Sequence, residues 1–334
     1  MKPVIFGLAG DTLTADERAL FTDAHAAGYI LFKRNIVDRA QLRALTDSLR
    51  DLHGRADLPI LIDQEGGRVA RMQPPEWPAF PPQGRFDALY DVSPLAAIEA
   101  ARVNAQAIAL MLAECGITVD ALPLLDVRRP EGSPVIGDRG LGAEPMRVAA
   151  LGRAVIDGLR RGGVVGIVKH MPGHGRALVD SHLTLPVVDA PEDALAEDLA
   201  PFARLADAPM GMTAHVVYTA WDAERCATVS PTVIGDVIRG RIGFDGFLMS
   251  DDIDMKALAG TPAQKACAAV AAGCDVALDC WGRFDEMVAI AEALPEMADE
   301  SAARLARAMA TVAGGAAGDF AALVAKRDAL LAAA

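Results

Sequence analysis

The sequence predicts a (β/α)8 TIM-type barrel, an α/β fold in which eight parallel strands each lead into a helix. Three observations carry this. Eight short apolar runs alternate with eight amphipathic stretches, an order that implies a parallel sheet. Most of the amphipathic stretches open with a helix-start signal. Polar residues gather where the apolar runs end, the edge at which barrel enzymes place their chemistry. An open doubly wound sheet is the alternative, but neither Gly-x-Gly-x-x-Gly after a first strand nor Gly-Lys-Ser/Thr occurs.

Strands are expected at 3–8, 28–32, 59–63, 117–126, 164–170, 209–216, 245–250 and 275–280. Helical periodicity covers 14–27, 38–53, 94–115, 145–161, 191–206, 231–240, 262–272 and 283–294. Thr14 precedes Asp16 and Glu17, an N-terminal cap followed by acidic first-turn residues. Ser93-Pro94, Ser230-Pro231 and Thr261-Pro262 each set a cap residue before a proline in the first helical position. The Pro-rich 74–82 segment reads as a rigid surface loop. The Ala-rich 299–333 tail reads as a C-terminal helical extension. No linker or second composition zone divides the chain, so 1–334 is read as one catalytic domain.

Composition narrows the function. The chain is 52% apolar and 23% charged, enough for a sizeable core, and its net charge of −13 argues against nucleic acid as a partner. The N-terminal Met1–Asp11 stretch reads as a first strand rather than a secretory signal. No run approaches the roughly 20 apolar residues a membrane helix needs, so no membrane partner is expected and the location is read as cytoplasmic. The five cysteines form no Cys-x-x-Cys and read as reduced, buried thiols, with Cys274 and Cys280 on one strand face.

The strand ends carry the candidate chemistry. Ser250-Asp251-Asp252 offers a carboxylate nucleophile held at a strand terminus; the plain alternative is a pair of helix-capping aspartates. Side-chain alternation allows only one of the two to face the rim centre. Asp180-Ser181-His182 offers a carboxylate–imidazole pair for proton transfer, or an ordinary loop. His170, His174 and His215 could instead hold a metal in a barrel hydrolase, and Lys169 could form a Schiff base. Asp63, Arg71 and Arg139 fit sugar recognition or simple rim ion pairs. Trp77, Trp221 and Trp281 could stack on a sugar or pack internally.

The ordered motifs resemble glycoside hydrolase family 3. They are Asp63-Gln64-Glu65-Gly66-Gly67-Arg68 with Arg71, Gly137-Asp138-Arg139, Lys169-His170-Met171-Pro172-Gly173-His174-Gly175, Asp180-Ser181-His182, Met212-Thr213-Ala214-His215 and Ser250-Asp251-Asp252. The resemblance is strongest to the short, single-domain bacterial β-N-acetylglucosaminidases (NagZ type). It implies Asp251 as nucleophile, His182 as general acid/base with Asp180 as its partner, and Asp63, Arg71, Arg139, Lys169 and His170 as the N-acetylglucosamine contacts. It implies no metal and no cofactor. It also implies a retaining exo-enzyme, a β-N-acetylhexosaminidase that removes terminal GlcNAc from GlcNAc-anhydro-MurNAc peptides in cell-wall recycling, acting as a monomer. A phosphorylase or β-glucosidase of the same family is the alternative. Met171, Gly140-Leu141 and Trp281 depart from the family's usual Phe, Ser-Phe and Asn. The 171–181 loop is expected to move as it delivers His182.

Overall fold

Alternate residues of a barrel strand face the interior, so each apolar run must divide its side chains between two cores. The computed structural model, which describes residues 1–181 and 183–332, shows this division. Its strands are β1 (Lys2–Gly7), β2 (Ala26–Leu31), β3 (Ile60–Ile62), β4 (Val119–Asp120), β5 (Val165–Met171), β6 (Met210–Thr213), β7 (Phe247–Asp252) and β8 (Val276–Asp279). They pair in parallel in chain order and close where β8 meets β1. Ile5, Ile30, Leu61, Val165, Ile167, Phe247 and Met249 share the inner cluster. Their neighbours Val4, Phe6, Tyr29, Ile60, Val168 and Leu248 belong to the outer cluster, which packs on the helices. Each large side chain fully buried in this way contributes roughly 1.5–3 kcal/mol.

The helices are α1 (Ala15–Ala24), α2 (Arg39–His53), α3 (Gly84–Val92), α4 (Pro94–Glu114), α5 (Pro145–Arg161), α6 (Glu192–Arg204), α7 (Pro262–Ala272), α8 (Phe284–Ala293), α9 (Asp299–Ala310) and α10 (Phe320–Leu331). A π-helix, Val233–Arg241, follows β6. Thr14 and Thr261 form capping boxes with Glu17 and Gln264, and Ser93 caps α4.

Several expectations shift. Helix α1 stops at Ala24 because His25 turns left-handed, with φ 45°, and β2 starts at once. The expected strand 117–126 pairs regularly only at 119–120, since Pro123 has no N–H to donate; one further bridge joins Leu124 to Lys169. The Pro-rich loop is anchored by buried Trp77 and Phe80, and α3 follows it unannounced. The expected C-terminal helical extension consists of two helices, α9 and α10. Cys274 lies in the outer cluster and Cys280 in the inner one, because Cys274 precedes β8 and the alternation does not reach it. Against expectation, α4 is long and apolar enough to cross a membrane by length and composition. In this fold 67% of its apolar window is buried, against α5, α10 and α3.

Candidate active site

The alternation that packs Leu61, Ile167 and Met249 inward brings Asp63, Lys169 and Asp251 to the barrel mouth two residues later. They border a cavity of about 330 Å³ together with Glu65, Arg71, Arg139, His170, Asp180 and Asp252. After β3 the chain makes a tight hairpin, Gln64–Gly66 against Val69–Ala70. Gly66 and Gly67 turn it with φ 91° and 58°, and a Cβ on Gly66 would lie 2.4 Å from the Pro81 carbonyl. Gln64 accepts from the amides of Arg71 and Met72 and so fixes the returning arm. Arg71 then reaches Asp63 at 2.8 Å, its guanidinium over the Phe32 ring.

A buried ionic cradle results. Arg139 grips Glu65 through Nε and Nη2, both at 2.8 Å. The Lys169 ammonium stands 2.7 Å from Glu65 and 3.4 Å from Asp63. Burial alone would raise the Asp63 carboxyl, but the charges of Lys169, Arg71 and Arg139 outweigh it and hold it well below the usual carboxylate range. Glu65 is lowered by Lys169 and Arg139 against the same penalty. Burial works against the Lys169 charge, yet Glu65 and Asp63 raise its pKa. The cradle is therefore ionised at neutral pH. It offers carboxylate acceptors and cationic donors in fixed positions, as a polyhydroxylated ligand requires.

A second group follows β4 and the end of β5. Asp126 accepts from His170 Nδ1 at 2.7 Å and from the His174 amide at 2.7 Å. Burial, then His170, pushes His174 down to about 4, so its ring is neutral at neutral pH, with Nε2 3.3 Å from the Ser181 hydroxyl. On β7 the Asp252 amide donates to Asp251 Oδ1 at 2.8 Å, and the Asp252 carbonyl accepts from His215 Nε2 at 2.8 Å. His215 is thereby a support beneath the nucleophile candidate.

The model of the glycosyl hydrolase family 3 N-terminal domain matches residues 6–313. The chain belongs to glycoside hydrolase family 3. β-Hexosaminidases from Chromobacterium violaceum and Alkalilimnicola ehrlichii are 41% and 40% identical to it. The alignments cover 91% and 92% of this chain and 86% and 88% of theirs. NagZ from Neisseria gonorrhoeae, solved in complex with N-trifluoroacetyl-D-glucosamine, superposes with a TM-score of 0.85 at 32% identity, over 99% of this chain and 96% of that one. The same NagZ has also been solved with a zinc ion, with TM-score 0.84 and 30% identity over the same shares of the two chains.

In this family 3 chain, Asp63, Arg71, Arg139, Lys169, His170, Asp180 and Asp251 all border the one cavity. His182 lies outside the described residues. Both aspartates of the β7 pair border the cavity, contrary to strict alternation, because the β7–β8 register shifts between Met249 and Asp252. The metal alternative fails at His215, whose Nδ1 is 2.7 Å from the Thr228 hydroxyl and whose Nε2 is taken by the Asp252 carbonyl. Among the described residues no group of three His, Cys, Asp or Glu side chains could hold a metal ion. The Lys169 ammonium is ion-paired and charged, so it is no Schiff-base amine. Trp77 is buried, and Trp221 packs on Tyr218 with centroids 5.3 Å apart, so neither supplies a sugar platform. The sequence places Glu65 and Asp126 at strand ends without assigning them a role, and it gives no signal for Phe32. Glu65 stands two residues beyond Asp63 in the same motif, the spacing that puts both side chains on one side of an extended segment.

Proposed function

We propose that this family 3 enzyme removes a single non-reducing terminal N-acetylglucosamine from GlcNAc-anhydro-MurNAc peptides in cytoplasmic cell-wall recycling, acting as a monomer. Activity as a β-N-acetylhexosaminidase follows from the family and its relatives. The substrate and the mechanism are the proposed part. One observation carries it: the cavity is at the small end of ligand pockets and walled on one side by the Asp63–Lys169–Glu65–Arg139 cradle, with Asp251 and Asp180 on its border. Such a site takes one terminal sugar ring and leaves the remainder outside.

The proposed chemistry is two displacements. Asp251 attacks the anomeric carbon while the leaving oxygen takes a proton from His182, which Asp180 holds in the productive tautomer; the glycosidic bond breaks and a glycosyl ester forms. Water then gives a proton to neutral His182 and attacks the same carbon, and the Asp251 carboxylate departs. Two inversions give net retention. The neutral base does not repel an anionic acceptor, which keeps phosphorolysis in the test.

The test incubates the protein with GlcNAc-anhydro-MurNAc peptide and with the 4-nitrophenyl β-glycoside, following the product by NMR. Both should release GlcNAc first as the β-anomer, and Asp251→Ala should abolish both reactions. First release of the α-anomer, or wild-type turnover in Asp251→Ala, overturns the mechanism. Aryl cleavage with the peptide conjugate untouched overturns the substrate. GlcNAc 1-phosphate appearing in phosphate buffer marks the phosphorylase alternative.

A further inference from the structure

Arg139 and Arg71 both grip carboxylates of the cavity, but they are held in different ways. Arg139 meets Glu65 through a fork, Nε and Nη2 each at 2.8 Å, which fixes its plane as well as its place. Arg71 meets Asp63 through Nη2 alone, at 2.8 Å. The other oxygen of Asp63 faces the Lys169 ammonium at 3.4 Å and gives Arg71 no second contact. Among the described residues the Arg71 Nε is buried with no hydrogen-bond partner. One hydrogen bond leaves a guanidinium free to turn about it. The Phe32 ring closes that freedom: the Arg71 guanidinium carbon stands over it, 5.1 Å from the centroid. Phe32 lies two places after the inward-facing Ile30 of β2, packs on the inner cluster and borders the cavity. Its own place is fixed several times over. Its amide donates to Asn35 Oδ1 at 2.9 Å, and the fully buried Asn35 donates to the carbonyls of Leu8 and Gly10 at 3.1 and 2.7 Å. The Arg34 guanidinium also stands over the ring, at 4.9 Å, and is anchored by the carbonyls of Leu8 and Cys280. The ring is thus tied to the ends of β1 and β8 before Arg71 reaches it from the hairpin after β3.

We infer that Phe32 is a positioning residue for sugar recognition: its ring sets the plane of the Arg71 guanidinium, so that Arg71 meets the sugar in one orientation. The inference rests on the reading of the cavity as the seat of a terminal N-acetylglucosamine. Phe32 supplies for Arg71 the second constraint that the second Glu65 oxygen supplies for Arg139. An arginine plane stacks on an aromatic face, and the electron-rich face of the ring attracts the cation. A donor set in place beforehand loses less freedom when the ligand arrives, and the gain appears as affinity. Arg71 grips the sugar alike before and during bond breaking, so loosening it raises KM and leaves kcat.

The experiment uses the full chain, the 4-nitrophenyl β-N-acetylglucosaminide as substrate and free GlcNAc as competitive inhibitor. Phe32→Leu keeps apolar bulk and removes the ring. In it KM and the GlcNAc inhibition constant should both rise about 3- to 10-fold, the worth of one partly desolvated stacked pair, with kcat within about twofold of the wild type. Phe32→Tyr keeps the ring and should hold both constants within about twofold of the wild type. In Arg71→Lys the side chain is a point charge with no plane to set, and adding Phe32→Leu there should change kcat/KM by less than about twofold. Unchanged constants in Phe32→Leu, a loss carried by kcat, or a Phe32→Tyr variant as poor as Phe32→Leu overturns the role while the glycosidase reading stands. The same penalty repeated on Arg71→Lys also overturns it, because Phe32 would then be touching the sugar itself. Absence of both turnover and GlcNAc binding in the wild type overturns the functional reading and the role of Phe32 with it.

Discussion

Lys169 is 2% exposed, and its ammonium lies between the carboxylates of partly buried Asp63 and buried Glu65, both supplied by a different strand end. Replacing it with methionine leaves Asp63 and Glu65 held by one arginine each. Breaking a buried ionic contact of this kind costs about 3–5 kcal/mol. Lys169→Met should therefore lower the urea midpoint clearly and abolish GlcNAc binding by calorimetry; an unchanged midpoint would show that the cradle is not under this strain. Asp279 poses the opposite case. It is 1% exposed, and neither of its carboxylate oxygens has a hydrogen-bond partner among the described residues. Burial first, then the charges of Asp252, Glu286 and Asp254, pushes it up to about 7. A raised carboxyl favours the neutral form in the fold. Its contribution is full below the unfolded value near 4 and is lost as pH rises through about 7. Between pH 5 and pH 8 the wild type should lose about 2–3 kcal/mol more than Asp279→Asn, measured by urea unfolding at both pH values.

At the scale of elements, the β5–α6 connection converts a rigid strand into a shaped loop. Gly175 lies so close to the segment after β4 that a Cβ there would stand 1.8 Å from the Val127 carbonyl oxygen. Gly175→Ala must displace the loop that carries Asp180, while the Asp63–Lys169–Glu65–Arg139 cradle depends on other contacts. We expect kcat on a natural glycoside to fall by about 100-fold, as a shift of about 1 Å at a reacting group does, with GlcNAc affinity within a few-fold of wild type. Loss of affinity equal to the loss of kcat would show that the loop and cradle are one unit. Helix α7 offers a purely structural counterpart. Thr261→Ala removes its capping box and should cost about 1 kcal/mol, read as a small drop in Tm with turnover unchanged.

At the scale of the whole molecule, a chain of net charge −13 concentrates Lys169, Arg71 and Arg139 at one end of its barrel. The remaining acidic surface is free to keep the protein soluble without weakening the cradle, because buried pairs are screened little by salt. Metal dependence is open to a test at this scale. The zinc complex of the Neisseria NagZ makes the test direct. With both ring nitrogens of His215 engaged inside the barrel, chelator dialysis should leave turnover of the 4-nitrophenyl glycoside unchanged. A loss restored by added zinc would return the metal alternative.

The sequence by itself determined the barrel, the order of its elements and the rim that carries Asp63, Lys169 and Asp251. Each of these rests on local patterns: helix caps, apolar runs, and polar residues two places beyond the inward-facing Leu61, Ile167 and Met249. The family motifs added names and roles to the same positions. The tertiary structure alone decided the partners. Glu65 meets Arg139 across 74 residues and Lys169 meets Asp63 across 106, distances over which no local pattern signals a contact. The register shift that brings Asp252 to the cavity beside Asp251 depends on how β7 meets β8. His215 changes from a metal candidate to a support because of a hydroxyl and a carbonyl on two other segments. Barrel closure brings distant strand ends together, and only then do buried charges find the opposite charges that keep them ionised.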